Sequence, residues 1–348
     1  MAKQINIEEF LIKSVNIPII DVRTPAEFEH AHIPGAVNIP LFTNEERAIV
    51  GTNYKKNGKE NAVLAGLEFV GPKLADFARL AKKTAVDNKL LIHCWRGGMR
   101  SASMAWLFET VGLEIETLSG GYKSYRRHIK SKFAENYKIV VLGGMTGSGK
   151  TEILKEIEKL GEQFVDLEGI ANHKGSAFGS FGEKKQTSTE QFENNLFEYW
   201  KKIDPNKYLW LEDESQSIGY VRIPEEIYIK IRNSIVVEIS VPKAERIKWL
   251  VEEYANFDKK LLESAVLKIS KRLGGLNTKL ALDAITEGKF DIVADITLQY
   301  YDKAYQYGLS KRENKILKIG LDKIDHKENA KKIIAFFNTE VLHTLNLK

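Results

Sequence analysis

The 348-residue chain has one cysteine, Cys94, so no intrachain disulfide can help to hold the fold. In a reducing compartment such a lone thiol stays free to react. No apolar run approaches the roughly 20 residues that a membrane-spanning helix needs, so no membrane role is expected. The amino terminus, MAKQINIEEFL, lacks the apolar stretch of a secretory signal, and a cytoplasmic setting is the expectation. No cluster of cysteines and histidines has ligand spacing, so no metal site of that kind is expected. Proline is scarce, and all eight lie before Lys243. The segment from Lys243 to Lys348 alternates apolar and charged residues at helical spacing and is read as helix-rich.

The composition, 43% hydrophobic and 28% charged, is that of a globular protein, and the length implies two domains. A net charge of +5 permits a polyanionic partner without requiring one. Apolar runs bounded by turn residues alternate with helix-period segments, the pattern of parallel sheets with crossover helices, and the alternation occurs twice. Strands are expected at Ile17–Arg23, GAVNIP, KLLIHC and EIETLSGG, with helices at PAEFEHAHI, Pro72–Lys83 and Ser101–Val111. The helix-patterned stretch Tyr122–Tyr137 reads as a connector. Strands follow at KIVVLGG, QFVDLEG, KYLWLED and SIVVEISV. The fold class is therefore α/β, with a parallel-sheet domain over 1–128 and a second α/β domain over 129–348 whose carboxyl-terminal part is helical.

GMTGSGKT, Gly144 to Thr151, fits G-x-x-x-x-G-K-[ST] and stands between an expected strand and an expected helix. In that arrangement Gly144, Gly147, Ser148 and Gly149 let backbone N–H groups turn inward on phosphate oxygens, Lys150 offsets charge, and Thr151 can ligate magnesium. LWLEDES ends an apolar strand in Glu212 and Asp213, the place from which P-loop proteins supply a magnesium contact. Asp213 with Thr151 is the expected pair. No N-K-x-D motif for reading guanine is present, and the nucleotide question stays open.

In LIHCWRGGMRSAS, Cys94 ends an apolar run and is followed by a glycine-rich turn and a helix beginning near Arg100. Converging amides, a helix N-terminus, Arg96 and Arg100 would stabilise a thiolate, so Cys94 with the two arginines is the expected catalytic set. Trp95, Gly97, Gly98, Met99 and Ser101 complete the anion cradle. The spacing C-x5-R equals that of cysteine phosphatases, and a loop of this length suits a phosphate-bearing group.

IIDVRTPAEFEHAHIPGAVNIP, the Cys94 loop and LSGGY resemble a rhodanese domain. Joined in order to GGMTGSGKT, DLEGIANHKGSAFG and LEDESQSIG, they resemble the bacterial tRNA 2-selenouridine synthase family along most of the chain. Lys174 and Gln216 stand where that pattern has arginine. The resemblance implies a rhodanese-like domain followed by a P-loop NTPase-like domain. It also implies an enzyme that replaces sulfur by selenium in 2-thiouridine at the tRNA wobble position, using selenophosphate. An S-geranyl intermediate made from geranyl diphosphate is part of the implication. Cys94 would then act in the selenium step, as nucleophile on selenophosphate or as selenium carrier. The implied partners are thiolated tRNA and the enzyme that makes selenophosphate.

Arg126, Arg127 and Lys130 in the connector helix are candidate tRNA contacts, although a solvated helix face explains the same charges. His173, Lys174 and Ser176 are candidate substrate contacts, and Arg272 in KRLGG could reach a phosphate or simply precede a glycine cap. Two competing functions remain at this point: a C-x5-R phosphatase or generic sulfurtransferase coupled to a P-loop nucleotide module, and a non-enzymatic nucleotide switch.

Overall fold

Short runs of branched apolar residues form parallel sheets when crossover helices can cover both faces, and this chain does so twice. The computed structural model describes residues 2–346, with side chains described to residue 340. Its first sheet contains β1 (Lys3–Ile5), β2 (Ile19–Asp21), β3 (Val37–Asn38), β4 (Lys89–His93) and β5 (Glu114–Leu118), in the order β1-β5-β4-β2-β3. All its pairings are parallel. Only the first residue of β4, KLLIH, is exposed, as a central parallel strand requires. Register places Asp21 beside His93, so β2 and β4 end at one sheet edge, and Cys94 is the next residue.

The second sheet contains β6 (Lys138–Gly144), β7 (Gln163–Phe164), β8 (Tyr208–Glu212), β11 (Ile235–Ser240) and β12 (Ile316–Gly320), again parallel, in the order β12-β11-β6-β8-β7. A two-stranded hairpin, β9 (Ser217–Ile218) with β10 (Val221–Arg222), lies between β8 and β11 in sequence. Leu142 faces Glu212 across the β6–β8 pairing, so the strand carrying the phosphate motif and the strand carrying the acids end together. The sheet core holds Trp210, Phe337 and Ile153, and a separate helical core gathers Phe178, Leu262, Val266 and Ile285.

The chain divides into two units, one running to Lys132 with Glu190–Glu198, the other Phe133–Thr189 with Tyr199–Lys348. The expected boundary lies at 128/129. It falls inside the helix Gly121–Ala134, and a piece of later sequence belongs to the first unit. That piece satisfies polar groups there: Gln191 accepts from the His32 amide at 2.7 Å, Asn194 donates to His32 O at 2.8 Å, and Tyr122 donates to Glu190 at 2.9 Å.

Three further elements differ from expectation. The segment Asn44–Val70 is helical, interrupted at Gly58 (φ +83°), and begins with a capping box of Thr43 and Glu46. It buries only Ala62, Gly66 and Val70, so it carries no apolar stripe that periodicity could detect. The helix-rich end contains the strand β12, and β1 adds an edge to the first sheet.

A buried ion pair ties the first sheet to its loops. Arg23 donates to both carboxylate oxygens of Asp21 at 2.6–3.0 Å and to Ala31 O at 2.7 Å, with its guanidinium 3.9 Å from the Tyr122 ring centre. Asp21→Ala would leave that guanidinium buried without a counter-charge, at a cost of roughly 3–5 kcal/mol. Urea unfolding should show that loss, and a loss under about 1 kcal/mol would contradict the assignment.

Candidate active sites

Cys94 follows β4, and the chain turns immediately into the helix Met99–Thr110, whose first N–H groups have no side-chain cap. The sulfur occupies that uncapped end. Gly98 donates its amide to Sγ at 3.3 Å and the Ser101 hydroxyl lies 3.3 Å away. Burial pushes the thiol pKa up, but the Ser101 hydroxyl and the amides of Arg96, Gly98 and Ser101 together outweigh it, and the net shift is downward. A thiolate is therefore favoured by geometry and not by an adjacent base.

Glycine is required where this loop meets LSGGY. At Gly97 (φ +67°) a Cβ would stand 2.8 Å from Leu118 O, and at Gly121 (φ +58°) it would stand 2.3 Å from Cys94 O. The close approach lets Tyr122 N donate to Cys94 O at 2.8 Å and Lys123 N to Trp95 O at 3.0 Å, which fixes the loop. His93 is fully buried with Nε2 3.7 Å from Asp21, and burial holds its pKa down, so the ring is neutral. It is a packed ring behind the loop. Trp95 rests on Tyr122, ring centres 5.6 Å apart, with its outer part exposed beside Met99.

The two arginines that the spacing singles out are placed differently. Arg100 is bound to Glu27, at 2.6 and 3.3 Å, so its charge is offset before any anion arrives. Arg96 is exposed at the tip of the loop, and what reaches the sulfur is its backbone amide. Glu27 was invisible in sequence because its partner lies 73 residues away.

In the second unit, β6 leads into the phosphate loop and the helix Lys150–Lys159, again without a side-chain cap. Gly147 (φ +79°) and Gly149 (φ +72°) take backbone conformations that favour glycine. Lys150 Nζ donates to Gly144 O at 3.0 Å, folding over the loop. Arg246, buried and paired bidentately with Asp302 at 2.8 Å, donates to Thr146 O at 3.0 Å and braces the loop from outside.

Beside the loop stand three carboxylates, Glu168, Glu212 and Glu214, with ligand atoms within 4.8 Å of one another. Thr151 donates to Glu168 at 3.2 Å. Glu212 is buried, and its Oε1 has no hydrogen-bond partner among the described residues. Burial is the first cause that raises the pKa values of all three, repulsion from neighbouring carboxylates adds to it and Lys150 opposes it; Glu212 is pushed up to about 8. Gly175 of the NHKGSAFG loop packs onto the cluster, where a Cβ would stand 2.7 Å from Glu168 and 3.1 Å from Glu214. An orphaned buried oxygen among hard oxygen donors, next to the Thr151 hydroxyl, fits a divalent cation such as magnesium.

Asp213 is not part of this group. Its carboxylate is bonded to Arg312, which also donates to Ile231 O at 2.9 Å, so the acid expected to contact magnesium serves a buried ion pair. Alternation along β8 puts neighbours on opposite faces, and it is Glu212 that faces Thr151.

Residues 8–128 match the rhodanese-like domain, and residues 137–331 match the tRNA 2-selenouridine synthase AAA domain. A tRNA 2-selenouridine synthase of Sulfurovum sp. (strain NBC37-1) is 34% identical over 358 residues, covering 92% of this chain and 94% of its own. That of Proteus mirabilis (strain HI4320) is 34% identical over 340 residues, covering 87% and 92%, and that of Shewanella frigidimarina (strain NCIMB 400) is 34% identical over 340 residues, covering 87% and 91%. This chain belongs to the tRNA 2-selenouridine synthase family. Agreement across both domains favours the family over a phosphatase or sulfurtransferase coupled to a nucleotide module.

In this member of the tRNA 2-selenouridine synthase family, several residues expected to meet substrate are already engaged. Arg126 is bonded to Glu193 and to Asn194 Oδ1, Lys174 pairs with Glu253 at 2.5 Å, and Arg272 donates to Tyr300 at 2.7 Å. Gln216 bridges Glu225 at 2.5 Å and Arg222 at 3.1 Å. Arg127 and Lys130 are exposed. His173 is half-buried with its pKa lowered first by burial, and Ser176 accepts from Phe178 N at 3.2 Å.

Two measurements check this description. Ser101 lowers the Cys94 pKa, so Ser101→Ala should move the pH midpoint of iodoacetamide alkylation upward, and an unmoved midpoint would refute the hydroxyl's part. The raised carboxylate pKa values mean that the cluster's contribution to stability is intact below the ordinary glutamate range and is lost as pH rises through about 8 for Glu212 and about 10 for Glu168. In chelator the melting temperature should fall over that window, and magnesium should restore it in the wild type but not in Glu212→Gln.

Proposed function

We propose that the protein replaces sulfur by selenium in 2-thiouridine at the wobble position of tRNA, with selenophosphate as donor and an S-geranyl intermediate. The observation that carries this reading is an acidified thiol in an amide-lined loop, on a chain that follows tRNA 2-selenouridine synthases along nearly their whole length.

The chemistry explains why two anion sites are useful. A thiocarbonyl sulfur leaves carbon 2 poorly. Alkylation changes that: the sulfur attacks carbon 1 of geranyl diphosphate, the carbon–oxygen bond breaks, diphosphate departs, and the base sheds its N3 proton to become a neutral S-alkyl isothiourea. Displacement by selenium then releases geranyl thiol. The phosphate loop serves the first step, its inward amides and Lys150 holding the diphosphate and stabilising charge as it leaves. Glu168, Glu212, Glu214 and Thr151 would hold a magnesium ion, which supplies countercharge to the departing diphosphate when bound.

Cys94 serves the selenium step as a thiolate nucleophile on the phosphorus of selenophosphate: the S–P bond forms as the P–Se bond breaks, selenide leaves to attack carbon 2, and water then frees phosphate from the cysteine sulfur, with the amides of Arg96 and Gly98 stabilising the anion. Selenium keeps its oxidation state throughout, so the single cysteine needs no resolving thiol. Arg127 and Lys130 are the proposed phosphate contacts for tRNA. The enzyme that makes selenophosphate is the proposed upstream partner, and the cytoplasm is the proposed compartment.

Thiolated tRNA incubated with selenophosphate and geranyl diphosphate, singly and together, should give the selenated nucleoside by mass spectrometry. Cys94→Ala should abolish it while S-geranyl-2-thiouridine still forms. Selenation that survives in this variant would reject the role of Cys94.

A further inference from the structure

The second unit contains an apolar cavity that begins at the phosphate loop. Thr146, within the loop, forms one wall, and the opposite walls come from Leu250, Tyr254, Val293, Leu298 and Tyr301. No charged side chain lines it. The position follows from two helices. Lys243–Tyr254 lies against the loop so closely that a Cβ on Gly147 would stand 2.9 Å from Leu250, and Phe290–Ser310 turns Val293, Ala294, Thr297, Leu298 and Tyr301 to the same side.

The lining does not suit a nucleobase, which needs buried donors and acceptors along its polar edge. Three of the lining hydroxyls already have backbone partners. Thr297 donates to Val293 O at 2.9 Å and Ala294 O at 3.2 Å, Tyr301 accepts from Ala177 N at 3.1 Å, and Ser176 accepts from Phe178 N at 3.2 Å. The rest of the lining is mostly hydrocarbon and ring face, and one of its residues, Thr146, belongs to the phosphate loop.

We propose that this cavity seats the hydrocarbon tail of an isoprenoid diphosphate whose head group lies in the phosphate loop. The inference rests on the diphosphate reading above and adds the residues that select the tail. The apolar walls hold the chain, and Thr146 stands where chain passes into head group. Selectivity for an isoprenoid over a nucleotide then lies in the helices Lys243–Tyr254 and Phe290–Ser310, outside the glycine-rich motif.

Calorimetric titration of the full chain separates the possibilities. Geranyl diphosphate should bind at least about 100-fold more tightly than inorganic diphosphate, since burying several methylene groups carries that much. Ala294→Phe, which fills the cavity, and Val293→Ser, which makes its wall polar without adding bulk, should each weaken geranyl diphosphate by about tenfold or more. Inorganic diphosphate should bind both variants as it binds the wild type. If the wild type held the two diphosphates equally, or if neither substitution changed geranyl diphosphate binding, the tail seat would be wrong while the head-group reading stood. A parallel loss of inorganic diphosphate in both variants would also overturn it. Tight ATP binding with no geranyl diphosphate binding in the wild type would bring down both.

Discussion

After a buried parallel strand the chain must turn and begin a helix, and the N–H groups at that helix start have no partner within it. Both sites in this protein grow from that constraint. After β4 the orphan amides close on a sulfur, and after β6 they form the phosphate loop, in each case with no side chain capping the helix. The turns are tight enough that glycine is the residue that fits. Gly97 and Gly121 touch each other's backbone, and Gly147 lies against Leu250. Remove this arrangement and neither the lowered thiol pKa nor the proposed pyrophosphate binding has a source.

Charge is distributed differently at the two sites. In the first unit the arginine at the head of the cysteine helix is balanced by Glu27, so dipoles and not free cations stabilise the thiolate. An arriving dianion meets a loop that has not already been filled by a guanidinium. In the second unit acid is in excess, with three carboxylates against Lys150, itself bonded to a loop carbonyl. Adding a diphosphate there increases the imbalance, so proton uptake or a cation must accompany it. The raised carboxylate pKa values and the orphaned oxygen of Glu212 are two expressions of the same excess.

What the sequence could reveal follows from what is local. The two sheets, the cysteine loop and the phosphate loop were all readable, because each is encoded in a contiguous stretch whose periodicity and glycines have direct backbone consequences. Asn44–Val70 escaped because a helix that buries three small or branched residues leaves no stripe. β12 escaped because five residues of strand inside a charged helical region look like one more turn of helix. At the sites, what the sequence leaves out is partnership. Arg100, Arg126 and Lys174 look available in one dimension, yet each meets a glutamate at least 67 residues distant. Glu212 and Asp213 are neighbours in sequence. Along an extended chain one residue is enough to separate a member of the carboxylate cluster from a buried ion pair with Arg312.

A phosphate loop identifies only the part of a ligand that it touches, and every nucleotide and every isoprenoid diphosphate offers it the same pyrophosphate. The remainder of the ligand must be chosen by whatever lies beyond the loop. Here Arg246 and Asp302 hold the carbonyl of Thr146 from one side, and the helices that carry them turn apolar residues toward the space beyond it. A polar base would lose its water there with few hydrogen bonds in return, whereas a hydrocarbon chain loses nothing by leaving water. On the proposed reading, the motif most readily taken for nucleotide binding sits in surroundings that favour a hydrocarbon chain over a base. The carboxyl-terminal helices, the least distinctive part of the sequence, would then set what the loop can use.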